Sequence, residues 1–219
     1  MPSRTLNRVI WIAMLVLLAV LGFKTRDNIE LLFAGVGKLD VRVVPDQDTV
    51  VLEWRGQIEA PMASRLAEAY EQHRRDAGKF VLSLSSPGGS LDQGAEVIRL
   101  LRRIAATHTL ETIVEGRRLC ASMCVPVYLQ GQKRTASETS QFMFHEVRFR
   151  EFHSDETIDV PDSATGKATD RLFRKYFLTA GVPAAWIRSV RAEMTGGVDV
   201  WKTGRELVDE KAGIVQDVF

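Results

Sequence analysis

Cysteine and histidine are both scarce in this chain, which has 2 and 4 of them in 219 residues. Two cysteines do not make a disulfide framework, and two such ligands make a poor zinc site, so no metal and no cofactor is expected. An excess of charge of one sign is missing as well. Lys plus Arg is 29 and Asp plus Glu is 28, for a net charge of +1. Nucleic acid is therefore not an expected partner, because that role shows as a clustered basic surface. A nucleotide-binding loop is absent too: Gly166-Lys167-Ala168 has neither the hydroxyl residue after the lysine nor the upstream glycine that a phosphate cradle needs. There is no internal repeat and no low-complexity tract.

What is present is an ordinary globular composition, 45% hydrophobic, enough for one core and one domain with an appendage. The appendage is the N-terminus. Arg4 and Arg8 precede an uncharged run from Val9 to Phe23, which Lys24, Arg26 and Asp27 end. A basic start before an apolar stretch matches a secretory signal or a signal anchor. The run is shorter than the ~20 residues that span a bilayer comfortably. No clear small-residue cleavage site follows, so an uncleaved anchor over residues 1–23 is favoured over a cleaved signal or a buried core helix. Residues 24–39 then form a juxtamembrane connector, and 40–219 the folded domain. Flanking charge is only weakly asymmetric, and the better expectation places the domain on the extracytoplasmic side of a bacterial inner-membrane-type bilayer.

From Val41 the pattern alternates strand and helix. Val41–Val43 and Val50–Trp54 are rich in β-branched residues and read as strands. Met62, Leu66, Ala69 and Tyr70 recur at helical spacing after Pro61. Phe80–Leu84 is an apolar strand, and Ser86-Pro87-Gly88-Gly89-Ser90 breaks it. Leu91, Ala95, Ile98, Leu101 and Ala105 line one face of a second helix. Thr112–Val114, a short helix over Met123–Leu129 and a strand over Phe142–His145 follow. Residues 146–163 read as a polar loop or β-arm, helix resumes near Leu172, and a short helix at 203–212 precedes a last strand, Ile214–Val218. Such alternation implies a mostly parallel α/β sheet.

Three segments carry chemistry. The Ser86–Ser90 turn joins a strand to a helix; its glycines let the backbone approach a ligand, and amides at a helix start stabilise negative charge. Taken alone it is a turn. Cys120-Ala121-Ser122-Met123-Cys124 also leads from strand to helix, and its serine taken alone is a helix cap. His145 ends an apolar strand, where a histidine is commonly structural. Cys120 and Cys124, four apart, fit one face of a helix, which is awkward for a bridge. They read as two small buried hydrophobes, or as a disulfide or redox pair flanking Ser122 if the compartment is oxidising.

In order, these segments resemble the Clp protease proteolytic subunit and the wider Clp/crotonase superfamily. In that family a strand leads into SPGG, then a helix, then A-S-M, G-x-K-R and M-x-H. Here these stand as Ser86-Pro87-Gly88-Gly89, Ala121-Ser122-Met123, Gly131-Gln132-Lys133-Arg134 and Met143-Phe144-His145. Gly56-Gln57-Ile58-Glu59 resembles the family's first turn. Trp201-Lys202-Thr203-Gly204-Arg205-Glu206-Leu207 to Gly213-Ile214-Val215 looks like its closing segment. The resemblance covers residues 50–218 and implies a Clp/crotonase-like ββα superhelix. It makes Ser122 the nucleophile, His145 the base and Asp199 the third triad member, with the amides of Gly89 and Met123 as the oxyanion hole. Pro87, Gly88 and Ser90 would line the bound substrate, an extended peptide or protein segment. Asp199 also reads as a turn residue beside Gly196-Gly197.

The departures are specific. A cysteine stands on each side of the serine segment, where the family has small residues. The loop after His145 is polar, without a glycine-rich ring-contact segment, and a membrane anchor replaces the N-terminal docking loops. Stacked heptamers and ATP-coupled degradation are thus not implied, although a homo-oligomer is the family's habit. The aromatic helix near 172–177 would serve such an interface or the monomer core. Membrane relatives of the signal peptide peptidase A type use a Ser–Lys dyad, for which Lys133 or Lys202 would be the base. The expected function is a membrane-anchored serine peptidase. The alternatives are an inactive binding or assembly module at the membrane and, further off, acyl-CoA chemistry.

Overall fold

The computed structural model describes residues 37–149 and 162–219. The expected anchor over 1–23, most of the connector and the acidic stretch from Glu151 to Asp159 lie outside the described residues. Among the described residues no helix is long and apolar enough to cross a membrane.

The chain opens with an antiparallel hairpin, β1 (Lys38–Val44) against β2 (Thr49–Arg55), which pairs Leu39 with Trp54 and Val43 with Val50. In β2 the buried apolar residues alternate, Val50, Leu52 and Trp54, as a strand with one covered face requires. Helix α1 (Met62–His73) buries Met62, Leu66 and Ala69 and returns the chain to β3 (Lys79–Ser85), which runs parallel to β2. Phe80, Leu82 and Leu84 of β3 are fully buried. Helix α2 (Leu91–Ala105) then leads to β4 (Thr109–Val114), parallel to β3. The buried stripe of α2 is Gly94, Val97, Ile98, Leu101 and Ile104, together with Leu100. It is rotated from the expected one, and Leu91 and Ala95 leave the core. Gly94 sets the rotation, because a Cβ there would lie 2.4 Å from Met123.

After β4 the chain makes β5 (Leu119–Ala121), α3 (Cys124–Tyr128), β6 (Lys133–Ala136) and β7 (Gln141–Phe144). Pro126 falls in the first turn of α3, where its missing N–H costs no intrahelical bond. Helix α4 (Asp162–Leu172) follows and continues through a π-helical turn, Phe173–Phe177. Helix α5 (Ala184–Glu193), β8 (Val200–Thr203), α6 (Gly204–Asp209) and β9 (Asp217–Val218) complete the described chain. Among the described residues the strands form a six-stranded sheet, β1-β2-β3-β4-β6-β9, and a three-stranded one, β5-β7-β8. Phe173, Tyr176 and Phe177 are buried, with Phe173 stacked on Phe177, so that aromatic face is used within the chain's own core.

Arg134, in the G-x-K-R segment of the family-like motifs, has a structural task. Its guanidinium donates to the carbonyls of Ile214 (2.9 Å), Gly131 (3.1 Å) and Gly213 (3.0 Å), stapling the turn before β9 to the start of β6. Removing it leaves three acceptors short of a donor. Arg134→Ala is expected to lower the unfolding free energy by about 2–4 kcal/mol, read as a lower urea midpoint at unchanged slope. A change under about 0.5 kcal/mol would show that water replaces it.

Candidate active site

Two main-chain junctions build the site. At the end of β3, Ser86 N–H donates to Leu119 O (2.8 Å) and Ala121 N–H donates to Ser86 O (3.0 Å). This bridge lays the Ser86–Ser90 turn against β5. The turn then folds over Ser122. Gly88 has φ +98°, and a Cβ on it would lie 2.7 Å from the Ser122 Cβ and 2.8 Å from Ala121 O. Gly89 has φ +154°, and its Cβ would meet Ile58 O at 2.4 Å. Both positions thus need glycine for conformation and for space.

Ser122 itself has φ +53°, in the left-handed region that few non-glycine residues occupy. Its amide donates to Met143 O (2.9 Å) on β7, and its carbonyl accepts from Val125 N–H (3.0 Å) in the first turn of α3. The sharp strand-to-helix turn lifts the hydroxyl toward the end of β7, where His145 follows Phe144. His145 Nε2 lies 2.8 Å from Ser122 Oγ. The other ring nitrogen, Nδ1, is bonded to the main-chain carbonyl of Glu146. A carbonyl only accepts, so Nδ1 carries the hydrogen and Nε2 presents a lone pair to the serine hydroxyl. That is the tautomer a general base needs.

The two amides expected to serve as oxyanion donors, those of Gly89 and Met123, are without a protein acceptor among the described residues, although the neighbouring Ser90 N–H donates to both Ile58 O (3.1 Å) and the Glu59 carboxylate (2.8 Å). Unengaged amides beside a nucleophile are what an oxyanion site requires. Glu59, at the end of the Gly56–Glu59 turn, anchors the start of α2. Ser90 caps that helix, accepting from Gln93 N–H (3.3 Å). Gly88, one of the residues expected to line the substrate, uses its carbonyl inside the fold, accepting from Ile58 N–H (2.7 Å). Pro87 is half-buried at the head of the turn.

Asp199 stands differently from the expectation. The β7–β8 register pairs Phe144 with Val200, and one step further sets Asp199 across from His145. Its carboxylate, however, binds Arg148 Nη2 at 2.5 Å. Arg148, three residues past the histidine in the polar loop, takes the carboxylate that the family-like motif would give to the ring. Neither Arg148 nor Arg191 lies in a motif legible in the sequence. Arg191 of α5 lies 3.6 Å from the Glu146 carboxylate and 2.9 Å from Asp170, so it ties the residue after His145 to two helices. Lys202 is unsuited to be a base. It sits 2.8 Å from Glu210 and 3.3 Å from Glu193, and the hydrogen bond to Glu210 in particular raises its pKa. Lys133 is exposed on β6.

Cys120 and Cys124 form a disulfide, with Cα atoms 5.2 Å apart. The helix-face placement expected for them does not hold. Cys120 ends up in β5 and Cys124 opens α3, and the turn between them brings the two backbones within the ordinary span of a bridge. Among the described residues no cluster of His, Cys, Asp or Glu is arranged to hold a metal.

A structural relative matches this arrangement of elements. A point mutant of ClpP1 from Listeria monocytogenes superposes with a TM-score of 0.59 at 18% identity, over 80% of this chain and 92% of that one. The chain has a Clp-protease-like fold. No family model matches the sequence, and no curated protein does. The Clp-like core thus extends over most of the chain at an identity where fold is retained and activity must be argued from the site.

Proposed function

We propose that the protein is a serine hydrolase that cleaves extended peptide segments through an acyl-enzyme. The observation that carries this is the 2.8 Å contact between His145 Nε2 and Ser122 Oγ, with Nδ1 satisfied by a carbonyl. Ser122 Oγ attacks the scissile carbonyl carbon while Nε2 takes its proton. The carbonyl oxygen becomes an oxyanion and accepts from the Gly89 and Met123 amides. Collapse breaks the C–N bond, and the imidazolium returns the proton to the departing amine. Water, deprotonated by the same nitrogen, then releases the acyl group and restores the serine. The N-terminal run from Val9 to Phe23 supports membrane attachment, which would set the substrates as segments close to a bilayer.

The test is covalent. A fluorophosphonate probe should label the wild type, with the adduct mass on the peptide that contains Ser122. If no adduct forms there, the hydrolase reading fails.

The second reading, a non-catalytic Clp-fold module, draws on the Arg148–Asp199 pair, which takes a carboxylate away from the ring. The pair is 47% and 35% exposed, and such contacts contribute about 0.2–1 kcal/mol. In the hydrolase reading the Glu146 carbonyl already holds the tautomer. Asp199→Asn is therefore expected to slow labelling less than about tenfold, against about 10⁴ for a carboxylate that orients a catalytic histidine. A loss near the larger figure would reassign Asp199 to the ring.

A further inference from the structure

We propose that the Cys120–Cys124 disulfide is what holds Ser122 in its reactive position, so that reducing this bond lowers the reactivity of the serine. The inference rests on the nucleophile assignment above and adds to it a dependence on thiol redox state.

The bond joins the residue two before Ser122 to the residue two after it. It ties the middle of β5 to the first residue of α3, and the serine lies at the apex of the closed turn. Ser122 needs such a tie. A non-glycine residue at φ +53° persists only where its surroundings over-determine it. On the helix side the turn is held by packing, since every residue of α3 is buried, and not by any side-chain capping bond. Helix α3 is one short segment, and its N-cap, Met123, provides no side-chain capping bond. The bonds made by Ser122 itself are its amide to Met143 O, its carbonyl from Val125 N–H, and its hydroxyl to the ring.

Global stability is a weak explanation for the bond. A loop this short removes less entropy from the unfolded chain than a long one does, since the gain grows with loop length. Both cysteines are fully buried among core residues, where two unbonded thiols would fill the same space. What distinguishes the bond from two thiols is the fixed separation of the two ends of the turn. Its position coincides with the two groups whose aim matters, the Ser122 hydroxyl and the Met123 amide. A misplacement of about 1 Å at such a site can cost about 10²-fold in rate.

The redox step is a thiol–disulfide exchange. A dithiol reductant attacks one sulfur, the protein S–S bond breaks, the protein gains two thiols, and the reductant closes its own disulfide. Two electrons and two protons are transferred. Because the sulfurs are buried, the first turn of α3 must open before a reductant reaches them.

The experiment compares fluorophosphonate labelling rates of the full chain in three states: oxidised, reduced with dithiothreitol and desalted, and reoxidised with oxidised glutathione. A Cys120→Ala/Cys124→Ala double variant is run beside them. Melting temperature and amide hydrogen exchange over residues 119–128 are followed in parallel. Labelling should fall at least about fivefold on reduction and recover on reoxidation. The double variant should be as slow as the reduced protein and indifferent to dithiothreitol. Exchange at residues 122–125 should rise on reduction while the protein stays folded. A smaller fall in labelling overturns the inference, as does alkylation of both cysteines in the oxidised preparation without prior reduction. If the wild type labels in no state, the nucleophile reading fails; the exchange data then decide the positioning claim alone, and unchanged exchange refutes it.

Discussion

His145→Ala is expected to slow hydrolysis of a mixed peptide library by about 10⁴-fold or more, and Ser122→Ala to do the same. The contacts of the ring with Glu146 and Ser122 set the size of this effect. Nδ1–H is held by the Glu146 carbonyl, so the lone pair on Nε2 faces the serine hydroxyl at 2.8 Å. Without that lone pair the hydroxyl must lose its proton to water as it attacks, and the departing amine has no acid to protonate it. Both half-reactions suffer together. Because serine and histidine act as one unit, their effects do not add, and the double variant should be no slower than either single one. The residual rate belongs to the amides of Gly89 and Met123. The fold should survive, since His145 is only half-buried and its side chain packs into the site rather than the core. A His145→Ala protein that melts like the wild type and hydrolyses within tenfold of it would remove the base from this mechanism.

How far the sequence carried this picture depends on the kind of signal. Strand β3 and the Ser86–Ser90 turn were legible because a short apolar run ends abruptly in proline and two glycines. The positions of Ser122 and His145 were legible through their ordered motifs, since the strand ends that carry them are fixed by main-chain pairing of β5 with β7. Strands β5 and β8 were not. Leu119–Ala121 is too short to show a period, and Val200–Thr203 carries a charged lysine and an exposed Trp201. Helix α5 was missed too, because its exposed alanines and Arg188 leave Val190 as the residue fully buried. The partner of Asp199 was hidden for a different reason: register sets which residues face each other, but a side-chain ion pair with Arg148 depends on the path of the loop after His145. Of the two readings open for the cysteines, buried hydrophobes or a disulfide pair, the second is the one formed; the helix-face spacing that made a bridge look awkward is removed once a left-handed serine turns the chain between strand and helix.

Gly88→Ala should cost about 10²–10³ in rate while leaving most of the protein folded. Two effects coincide at this glycine. Its φ of +98° is closed to alanine, and the added methyl would stand 2.7 Å from the Ser122 Cβ, 2.8 Å from Ala121 O and 3.2 Å from Met123 N. Two of these neighbours are main chain, so neither can rotate away, and the Ser86–Ser90 turn must shift off β5. The shift carries the Gly89 amide with it, since Gly88 O is bonded to Ile58 and Ser90 N–H to Glu59. The oxyanion then loses one well-aimed donor, and the hydroxyl no longer sits where the amides point. The backbone strain costs about 1–3 kcal/mol of stability, enough to lower the melting temperature but not to unfold the domain. Rate and stability should therefore separate: a large fall in kcat for peptide hydrolysis, with His145 still able to bond Ser122. Gly116→Ala, also at positive φ (+53°) but with nothing within 4 Å of its Cβ, supplies the control. It carries backbone strain of the same kind without touching the site, so it should lower stability and leave the rate alone. Equal losses of rate in the two variants would mean that strain anywhere in the fold, rather than the aim of the Gly89 amide, governs the chemistry.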